Sequence, residues 1–402
     1  MKIFEDTAYV HTGGSAEELK AAEYIQSVVA GLGMEATMMP FPVDMADIHE
    51  AVLEVDGKSI PCKGFRNAGS STVEAPFYYL PNTDRYSLEQ CKGKIVMIDG
   101  FMGYWRYHDL VEYGAVGFIT YDGNVNYTDR DIDQRELRCY IREGKRIMPG
   151  VNINVKDALE IVRSGAKTAK ITLRQDEYKV DSRDVILDMP GESDEYIVLT
   201  AHYDTTSLSC GTYDNMSGSV GLLGIAEHFA KRPHSYGLRF IWCGSEERGL
   251  LGSKAYCETA ADLDKCMLNI NLDMIGCIMG KFAACCTTEE ALVSYLNYMA
   301  NELGFPMHTY QDVYSSDSTP FADKGVPAVS FARWAPHSAA VIHCSYDTMD
   351  VMKGEQMVED IGFLVKFSER MANAFRCPVE RVIPDNMKEK LDEYLNRKRG
   401  KK

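Results

Sequence analysis

The pattern of apolar and polar residues changes character twice along this chain of 402 residues. The first segment, residues 1–44, contains a capping box, Ser15-Ala-Glu-Glu18. In this motif the serine hydroxyl accepts a hydrogen bond from a backbone N–H group, and the glutamate reaches back to the helix start. Apolar residues then recur at helical spacing from Ala21 to Val29. We therefore predict a helix here, followed by a strand.

Short alternating or apolar runs, separated by turn residues, fill residues 45–180. Such runs are typical of strands. Two helical patterns interrupt them, near 106–114 and 156–164. His, Asp and Glu residues do not cluster here in a way that resembles a catalytic set. We predict that residues 45–180 form an inserted β-rich domain.

From residue 181 onwards, apolar runs alternate with helical patterns. The runs typical of buried strands lie at 196–201, 238–243, 267–272 and 328–331. This alternation predicts an α/β fold, in which a mostly parallel central sheet lies between two layers of helices. We expect residues 1–44 and 181–384 to form this three-layer sandwich. Residues 385–402 should form a charged, loosely attached helix that ends in a solvated basic tail.

Metal-binding side chains directly follow several of the apolar runs. His202 follows the run at 196–201, and Asp273 follows the run at 267–272. Because the carboxyl ends of parallel strands meet at one edge of a sheet, we expect these side chains to lie close together. The candidate metal donors are His202, Asp214, Glu247, Asp273 and His343.

The chemistry of these donors favours zinc. Imidazole and carboxylate groups together suit zinc, and less selectively cobalt or manganese. Five donors are too many for one tetrahedral ion, but they suit two ions that share a carboxylate. Three carboxylates and one hydroxide would balance the charge of two divalent ions, and a metal-activated hydroxide is the nucleophile of a hydrolase. We therefore predict two zinc ions per chain.

Two further carboxylates have candidate roles next to the donors. Glu246 precedes Glu247, and neighbouring side chains in an extended or turned segment diverge. Glu246 is therefore the candidate general base, which would take a proton from water and deliver it to the leaving amine. Asp204 lies two residues after His202, where a carboxylate can fix the tautomer of the imidazole.

Charge and composition limit the partners and the location. A net charge of -16 argues against nucleic acid as the main partner, because phosphate binding requires clustered Lys and Arg. The sequence has no apolar run of roughly 18 residues, which a membrane helix requires. The N-terminal residues lack the apolar core of a signal peptide, so we expect a cytoplasmic location. The 12 cysteines are scattered without a C-x-x-C motif, and we expect them to be reduced.

Several motifs resemble those of the M28 family of co-catalytic zinc peptidases, which are mainly aminopeptidases. They match the family in order and in approximate spacing. The motifs read AHYD at 201–204, GTYDNMSG at 211–218, SEERGLLGS at 245–253, NLDMIG at 271–276 and IHCSYDT at 342–348. The resemblance covers residues 1–44 and 181–376. Residues 45–180 look like the protease-associated (PA) domain that is often inserted in these enzymes.

The resemblance also implies a role for each donor. By position, His202 and Asp273 would bind one zinc, Glu247 and His343 the other, Asp214 would bridge both, and Glu246 would be the base. A bridging hydroxide would then hydrolyse the N-terminal peptide bond. The family often has a non-proline cis peptide bond where this chain has Asp214-Asn215.

The substrate pocket is where the chain departs from the family. The family often has Ser-Asp-His where this chain has Ser316-Asp317-Ser318. Asp317 is therefore a candidate substrate contact whose environment has changed. Arg333 is a second candidate: it could bind a substrate carboxylate, or it could be an ordinary core-edge arginine.

Other functions remain open at this level. A carboxypeptidase, a dipeptidase or a glutaminyl-cyclase-like acyl transferase would use the same scaffold, and a cyclase would need a single zinc. A non-catalytic binding protein is a further alternative, which the complete donor set argues against. Nothing in the sequence indicates the oligomeric state.

Overall fold

The computed structural model of the chain describes residues 2–400. The helices are α1 (Lys2–Asp6), α2 (Ala16–Gly31), α3 (Arg85–Glu89), α4 (Tyr104–Glu112), α5 (Cys139–Arg142), α6 (Val155–Ser164), α7 (Ser217–Phe229), α8 (Leu251–Thr259), α9 (Glu290–Leu303), α10 (Ser318–Asp323), α11 (Gly354–Ala372) and α12 (Asp385–Tyr394). The strands are β1 (Ala36–Val55), β2 (Lys58–Ile60), β3 (Lys63–Gly64), β4 (Thr72–Tyr79), β5 (Ile95–Asp99), β6 (Gly117–Asp122), β7 (Gly150–Asn154), β8 (Thr168–Met189), β9 (Tyr196–His202), β10 (Gly237–Cys243), β11 (Cys266–Leu272), β12 (Lys281–Thr287), β13 (His308–Gln311) and β14 (Ala328–Trp334).

The chain divides into two compact units. The first combines Met1–Pro42 with Asp181–Lys402, and the second is Val43–Val180. The first division lies two residues before the predicted one at 44/45, and the second lies at the predicted position. Both divisions fall inside a long strand, β1 or β8.

A mixed sheet with a parallel centre organises the first unit. Its strand order is β13-β12-β14-β11-β9-β10-β8. The pairs β14–β11, β11–β9 and β9–β10 are parallel, whereas β12–β14 and β10–β8 are antiparallel. Every residue of β9 is buried, as expected for a central parallel strand that is covered on both faces. The predicted α/β fold with a mostly parallel sheet is confirmed.

The two faces of β9 pack against different helices. Ile197, Leu199 and Ala201 share a core cluster with apolar residues of α2, α7, α9 and α11. Val198, on the opposite face, packs in a cluster with apolar residues of α8 and α10. This alternation follows from the two-residue period of a strand. The predicted three layers are therefore present.

The second unit contains the predicted strands together with helices at the two predicted places, α4 and α6. Strands β4, β5, β6 and β7 pair in parallel in that order, and β3 pairs with β7 antiparallel. Buried residues of α4 and α6 lie in two separate core clusters, each with residues of β5 and β6. The strands are thus part of a helix-covered parallel sheet, and helices contribute to both cores.

The C-terminal helix α12 differs from the prediction. Met387 and Leu391, one turn apart, are buried against residues of α10 and β14. Lys390 forms an ion pair with Asp312 at 2.8 Å. Arg397, which was expected in a solvated tail, donates to Asp323 at 2.6 Å. The prediction of a loosely attached helix is wrong, because two apolar residues anchor an otherwise charged helix.

The expectations about membrane helices and about cysteines can also be compared with the structure. Within residues 2–400, no helix combines the length and the apolar composition of a membrane span. The cysteines are present as free thiols.

Candidate active site

The five predicted donors come together at one edge of the first unit's sheet. His202 ends β9 and Asp273 follows β11, whereas Glu247 lies in the turn after β10. The donor atoms form two groups, and within each group they lie within 4.8 Å of one another. The groups are His202, Asp214 and Asp273, and Asp214, Glu247 and His343. Asp214 is the member that both groups share.

The carboxylate of Asp214 faces both histidines. Its Oδ1 lies 3.2 Å from Nε2 of His202, and its Oδ2 lies 3.1 Å from Nε2 of His343. Nε2 of His343 is also 3.1 Å from Oε1 of Glu247. Nε2 of His202 is 3.8 Å from Oδ1 of Asp273. One carboxylate that faces two donor groups is the arrangement that two ions with a shared ligand require.

A carboxylate oxygen without a hydrogen bond supports a cation at this site. Oδ1 of Asp273 is buried, and among residues 2–400 it has no hydrogen-bond partner. A buried charged oxygen without a partner is strongly unfavourable unless a cation or a donor compensates it. The imidazole and carboxylate donors match the ligands that zinc prefers. The residues present therefore fit zinc.

The pKa shifts of the donors also indicate a site that attracts cations. Burial lowers the pKa of His202, but the charge of Glu246 and contacts with three carboxylates outweigh burial and hold that pKa well above its usual value. Burial raises the pKa of Asp214, but contacts with His202 and His343 hold it below its usual value. The cluster thus carries an excess of negative charge that attracts protons or cations.

Asp347 fixes the backbone next to Asp214, and sequence reasoning missed it. This buried carboxylate accepts hydrogen bonds from N–H of Tyr213 at 2.7 Å and N–H of Asp214 at 3.2 Å. It also accepts from Oγ of Ser209 at 3.1 Å. Burial raises its pKa to about 6. Its position in the motif IHCSYDT was the available signal.

Asn215 links two of the three donors of the first group, Asp214 and Asp273. The peptide bond between Asp214 and Asn215 is cis, as the resemblance implies. Nδ2 of Asn215 donates to the carbonyl of Leu272 at 2.9 Å, and Oδ1 accepts from N–H of Met274 at 2.9 Å. These contacts lie on either side of Asp273. The asparagine therefore holds the backbone of both donors in one arrangement.

Asp204 has a different role from the predicted one. Its carboxylate lies 3.6 Å from Nδ1 of His202, too far for a hydrogen bond. Nδ1 instead lies 3.2 Å from the backbone carbonyl of Asp204. The carboxylate accepts from N–H of Glu246 at 2.8 Å and N–H of Glu247 at 3.2 Å. The carbonyl thus orients the imidazole, and the carboxylate holds the turn after β10.

The carboxyl group of the candidate general base, Glu246, lies among other charged groups of the site. Burial raises the pKa of its carboxyl group well above the usual value, and the charge of Glu247 raises it further. A carboxyl group with a raised pKa is better matched to proton transfer near neutral pH than a solvated one.

The two predicted substrate contacts are engaged inside the protein. Nη2 of Arg333 lies 2.5 Å from Oδ1 of Asp360, and Nη1 donates to the carbonyl of Gly280 at 3.0 Å. Asp317 is fully buried and accepts from Oγ of Ser253 at 2.5 Å. Arg333 is therefore the core-edge arginine of the two alternatives, and the prediction of a substrate contact at Asp317 is wrong because that side chain is 0% exposed.

Two aromatic residues, Tyr314 and Trp334, stack against each other close to the end of β14. The rings of Tyr314 and Trp334 are nearly parallel, at 9° with centroids 6.3 Å apart, and Trp334 Nε1 donates to Tyr314 at 3.3 Å. Burial raises the pKa of Tyr314, and the charge of Asp273 raises it further. Both rings are partly exposed.

Comparison with known proteins agrees with this geometry. Residues 184–361, which contain all five donors, match Peptidase family M28. Aminopeptidase YwaD of Bacillus subtilis is 25% identical over 368 residues, which are 86% of this chain and 77% of that protein. The structure of BSAP, a zinc aminopeptidase from Bacillus subtilis, is similar with a TM-score of 0.78 at 21% identity, and the match covers 95% of this chain and 97% of that one. An aminopeptidase from Aneurinibacillus sp. strain AM-1 has a TM-score of 0.72 at 23% identity, with 95% and 94% covered. These structural similarities establish the fold.

Proposed function

We propose that the chain, whose residues 184–361 match Peptidase family M28, is an aminopeptidase that hydrolyses the N-terminal peptide bond of peptides with two zinc ions. One observation carries the proposal: two donor groups share the carboxylate of Asp214. The names of its relatives, aminopeptidase YwaD and the zinc aminopeptidase BSAP, support the substrate class and the metal.

The donors divide between the two ions according to their grouping. His202 and Asp273 would hold one ion, and Glu247 and His343 the other. Asp214 would bind both, since its two oxygens face different histidines. When bound, two such ions polarise a substrate carbonyl and bring the pKa of a water towards neutrality.

Glu246 moves the proton in this mechanism. The attacking water adds its oxygen to the scissile carbonyl carbon, and Glu246 accepts the proton that the water loses. When the C–N bond breaks, Glu246 returns that proton to the leaving amine. Asp204 keeps the carboxyl group of Glu246 in place, because it binds the backbone N–H groups of both glutamates.

Particular residues argue against two alternative functions, a carboxypeptidase and a glutaminyl-cyclase-like enzyme. A carboxypeptidase needs a cation for the terminal carboxylate, and the candidate, Arg333, is paired with Asp360. A cyclase with a single zinc would have no use for the second donor group, Asp214, Glu247 and His343. The aminopeptidase proposal accounts for both groups.

Metal analysis combined with a peptide panel tests the proposal. The panel contains peptides with free termini, N-acetylated peptides and C-amidated peptides of the same sequence. We expect hydrolysis of the free and C-amidated peptides and none of the N-acetylated ones, because an aminopeptidase requires the free amine. Equal cleavage of N-acetylated peptides would overturn the aminopeptidase assignment.

A further inference from the structure

The glutamate of the N-terminal capping box does not behave as the motif predicts. Oγ of Ser15 accepts from N–H of Glu18 at 3.0 Å, as expected at a helix start. N–H of Ser15, however, donates to the carbonyl of Thr12. The carboxylate of Glu18 is turned into the protein, and its Oε2 accepts from N–H of Gly14 at 2.7 Å. Its other oxygen is therefore free to bind elsewhere.

That other oxygen binds the turn that carries the candidate base. Oε1 of Glu18 accepts from N–H of Ser245 at 3.0 Å and from Oγ of Ser245 at 3.2 Å. Oγ of Ser182 donates to the same oxygen at 2.7 Å. Ser245 is 227 residues away in the sequence and directly precedes Glu246. Helix α2 thus contacts the active-site turn.

Four successive N–H groups of this turn bind buried carboxylates. N–H of Gly244 donates to Asp184, that of Ser245 to Glu18, and those of Glu246 and Glu247 to Asp204. All three carboxylates are fully buried. Because each of these N–H groups is hydrogen-bonded, the backbone of the turn is fixed. The side chains of Glu246 and Glu247 therefore have little freedom to reorient. The direction of the two glutamate side chains therefore depends on these acceptors.

The backbone of Ser245 requires such support. Its φ of 53° lies in the left-handed region, which residues with a side chain rarely adopt. Such a conformation persists when surrounding contacts determine it, and it is often found at functional sites. Glu18 binds both the backbone and the side chain of this residue.

The segment before Glu18 also lies against the active site. N–H of His11 donates to Oγ1 of Thr205 at 3.0 Å, and N–H of Thr205 donates to the carbonyl of His11 at 3.2 Å. At Gly13, a Cβ atom would lie 2.3 Å from Oγ of Ser245, so only glycine allows this approach. Residues 11–18 lie outside the part of the chain that matches the peptidase family, 184–361.

From these contacts we propose that Glu18 is a positioning residue of the active site, which holds the turn at Ser245 so that Glu246 faces the substrate and Glu247 faces the metal. The part of the proposal that concerns catalysis rests on the proposed aminopeptidase function. The part that concerns Glu247 predicts zinc affinity and is independent of any activity.

Substitution of Glu18 tests the proposal with two readouts. In Glu18→Ala the N–H of Ser245 loses its acceptor, and Glu246 and Glu247 lose their fixed directions. We expect zinc affinity at one of the two sites, measured by competition with a chromophoric chelator, to fall about ten-fold, as for other residues that orient metal ligands. We also expect kcat for a free-amine peptide to fall about ten-fold or more with KM nearly unchanged, because a misdirected base acts on the transition state.

Two control variants separate positioning from helix stability. Glu17 lies in the same first helical turn but is exposed, so Glu17→Ala removes the same charge without touching Ser245. Ser15→Ala removes the helix cap but leaves the carboxylate of Glu18 in place. Both controls should keep the zinc affinity and kcat of the parent within about two-fold. If either control reproduces the losses of Glu18→Ala, the effect belongs to the helix start and the proposal is overturned.

If the Glu18→Ala variant does not fold, the Glu18→Gln variant tests the proposal in its place. The amide oxygen can still accept from Ser245, but the NH₂ group then opposes N–H of Gly14. We expect losses of zinc affinity and kcat of about three-fold. Parental values in a folded Glu18→Gln or Glu18→Ala protein would overturn the proposal. If the parent enzyme does not cleave free-amine peptides, the proposed function fails, and the zinc affinities alone decide the role of Glu18.

Discussion

Glu246 and Glu247 are neighbours in the sequence but stand in different surroundings. Oε1 of Glu247 lies 3.1 Å from Nε2 of His343, inside a donor group. Glu246 belongs to neither group, and burial holds its pKa well above the usual value. The sequence predicted that one of the pair binds metal and the other carries a proton, because neighbouring side chains diverge. From the sequence, Glu247 was predicted to be a metal donor and Glu246 the base, and the family resemblance implies the same roles.

Glu246→Gln should separate proton transfer from metal binding. The amide has nearly the shape of the carboxyl group but cannot accept a proton, so we expect kcat to fall about 10²-fold or more. Both zinc ions should remain, because no donor is changed. Steady-state kinetics and metal analysis of the same preparation check this. A parental kcat would show that another group is the base.

Arg333 shows what residue-level prediction leaves undecided. Its partner Asp360 lies on helix α11, and Asp360 also accepts from N–H of Gly276 at 2.9 Å. A pairing between distant segments depends on the packed fold, which the local pattern around Arg333 does not encode. The same holds for Asp204, whose carboxylate binds a turn 42 residues later.

Arg333→Ala should reduce stability and leave substrate preference unchanged. The variant leaves the carboxylate of Asp360 buried without its cation, which typically costs about 3–5 kcal/mol. We expect a lower urea midpoint than that of the parent. The ratio of rates on C-amidated and free-carboxylate peptides should stay at the parental value. A selective loss of activity on free-carboxylate peptides would restore the substrate-binding assignment.

At the scale of elements, the site consists of the segments that follow β9, β10, β11 and β14. The strands were predictable, because long apolar runs bounded by turn residues are typical of buried strands. The backbone conformations of the turns were not predictable from the sequence. Ser245, Met274 and His343 all have positive φ values, of 53°, 65° and 60°. Local sequence patterns do not predict such conformations for residues other than glycine, because tertiary contacts impose them.

Helix α12 provides a second example at this scale. Its sequence is mostly charged, and the burial of Met387 and Leu391 depends on an apolar surface formed by Ala322, Ala328 and Ile383. The charged sequence pattern of α12 therefore did not predict that the helix is anchored by buried apolar residues.

Leu391→Ala should destabilise the first unit. Leu391 is 3% exposed, and truncation of a buried leucine to alanine typically costs 2–5 kcal/mol. We expect a cost of about 2 kcal/mol in chemical denaturation, because a terminal helix can partly relax around the cavity. Glu389→Ala, at an exposed position of the same helix, is the matched control. Equal stability of the two variants would restore the prediction of a loosely attached helix.

At the scale of the whole molecule, the predicted donors all lie in the unit that contains the parallel sheet. The alternation of strands and helices predicted that unit, and the ends of its strands predicted the edge at which the donors meet. Residues 43–180 form a separate unit. Its resemblance to a protease-associated domain and the cytoplasmic location stay predictions.

The shared carboxylate of Asp214 is the central claim, and zinc stoichiometry tests it most directly. Zinc per chain is measured after dialysis for the parent, Asp273→Ala and Asp214→Ala, with circular dichroism to verify folding. We expect two ions in the parent and one in Asp273→Ala, which changes a single donor group. Asp214→Ala changes both groups and should retain none. Two zinc ions bound to a folded Asp214→Ala protein would contradict the shared-ligand account.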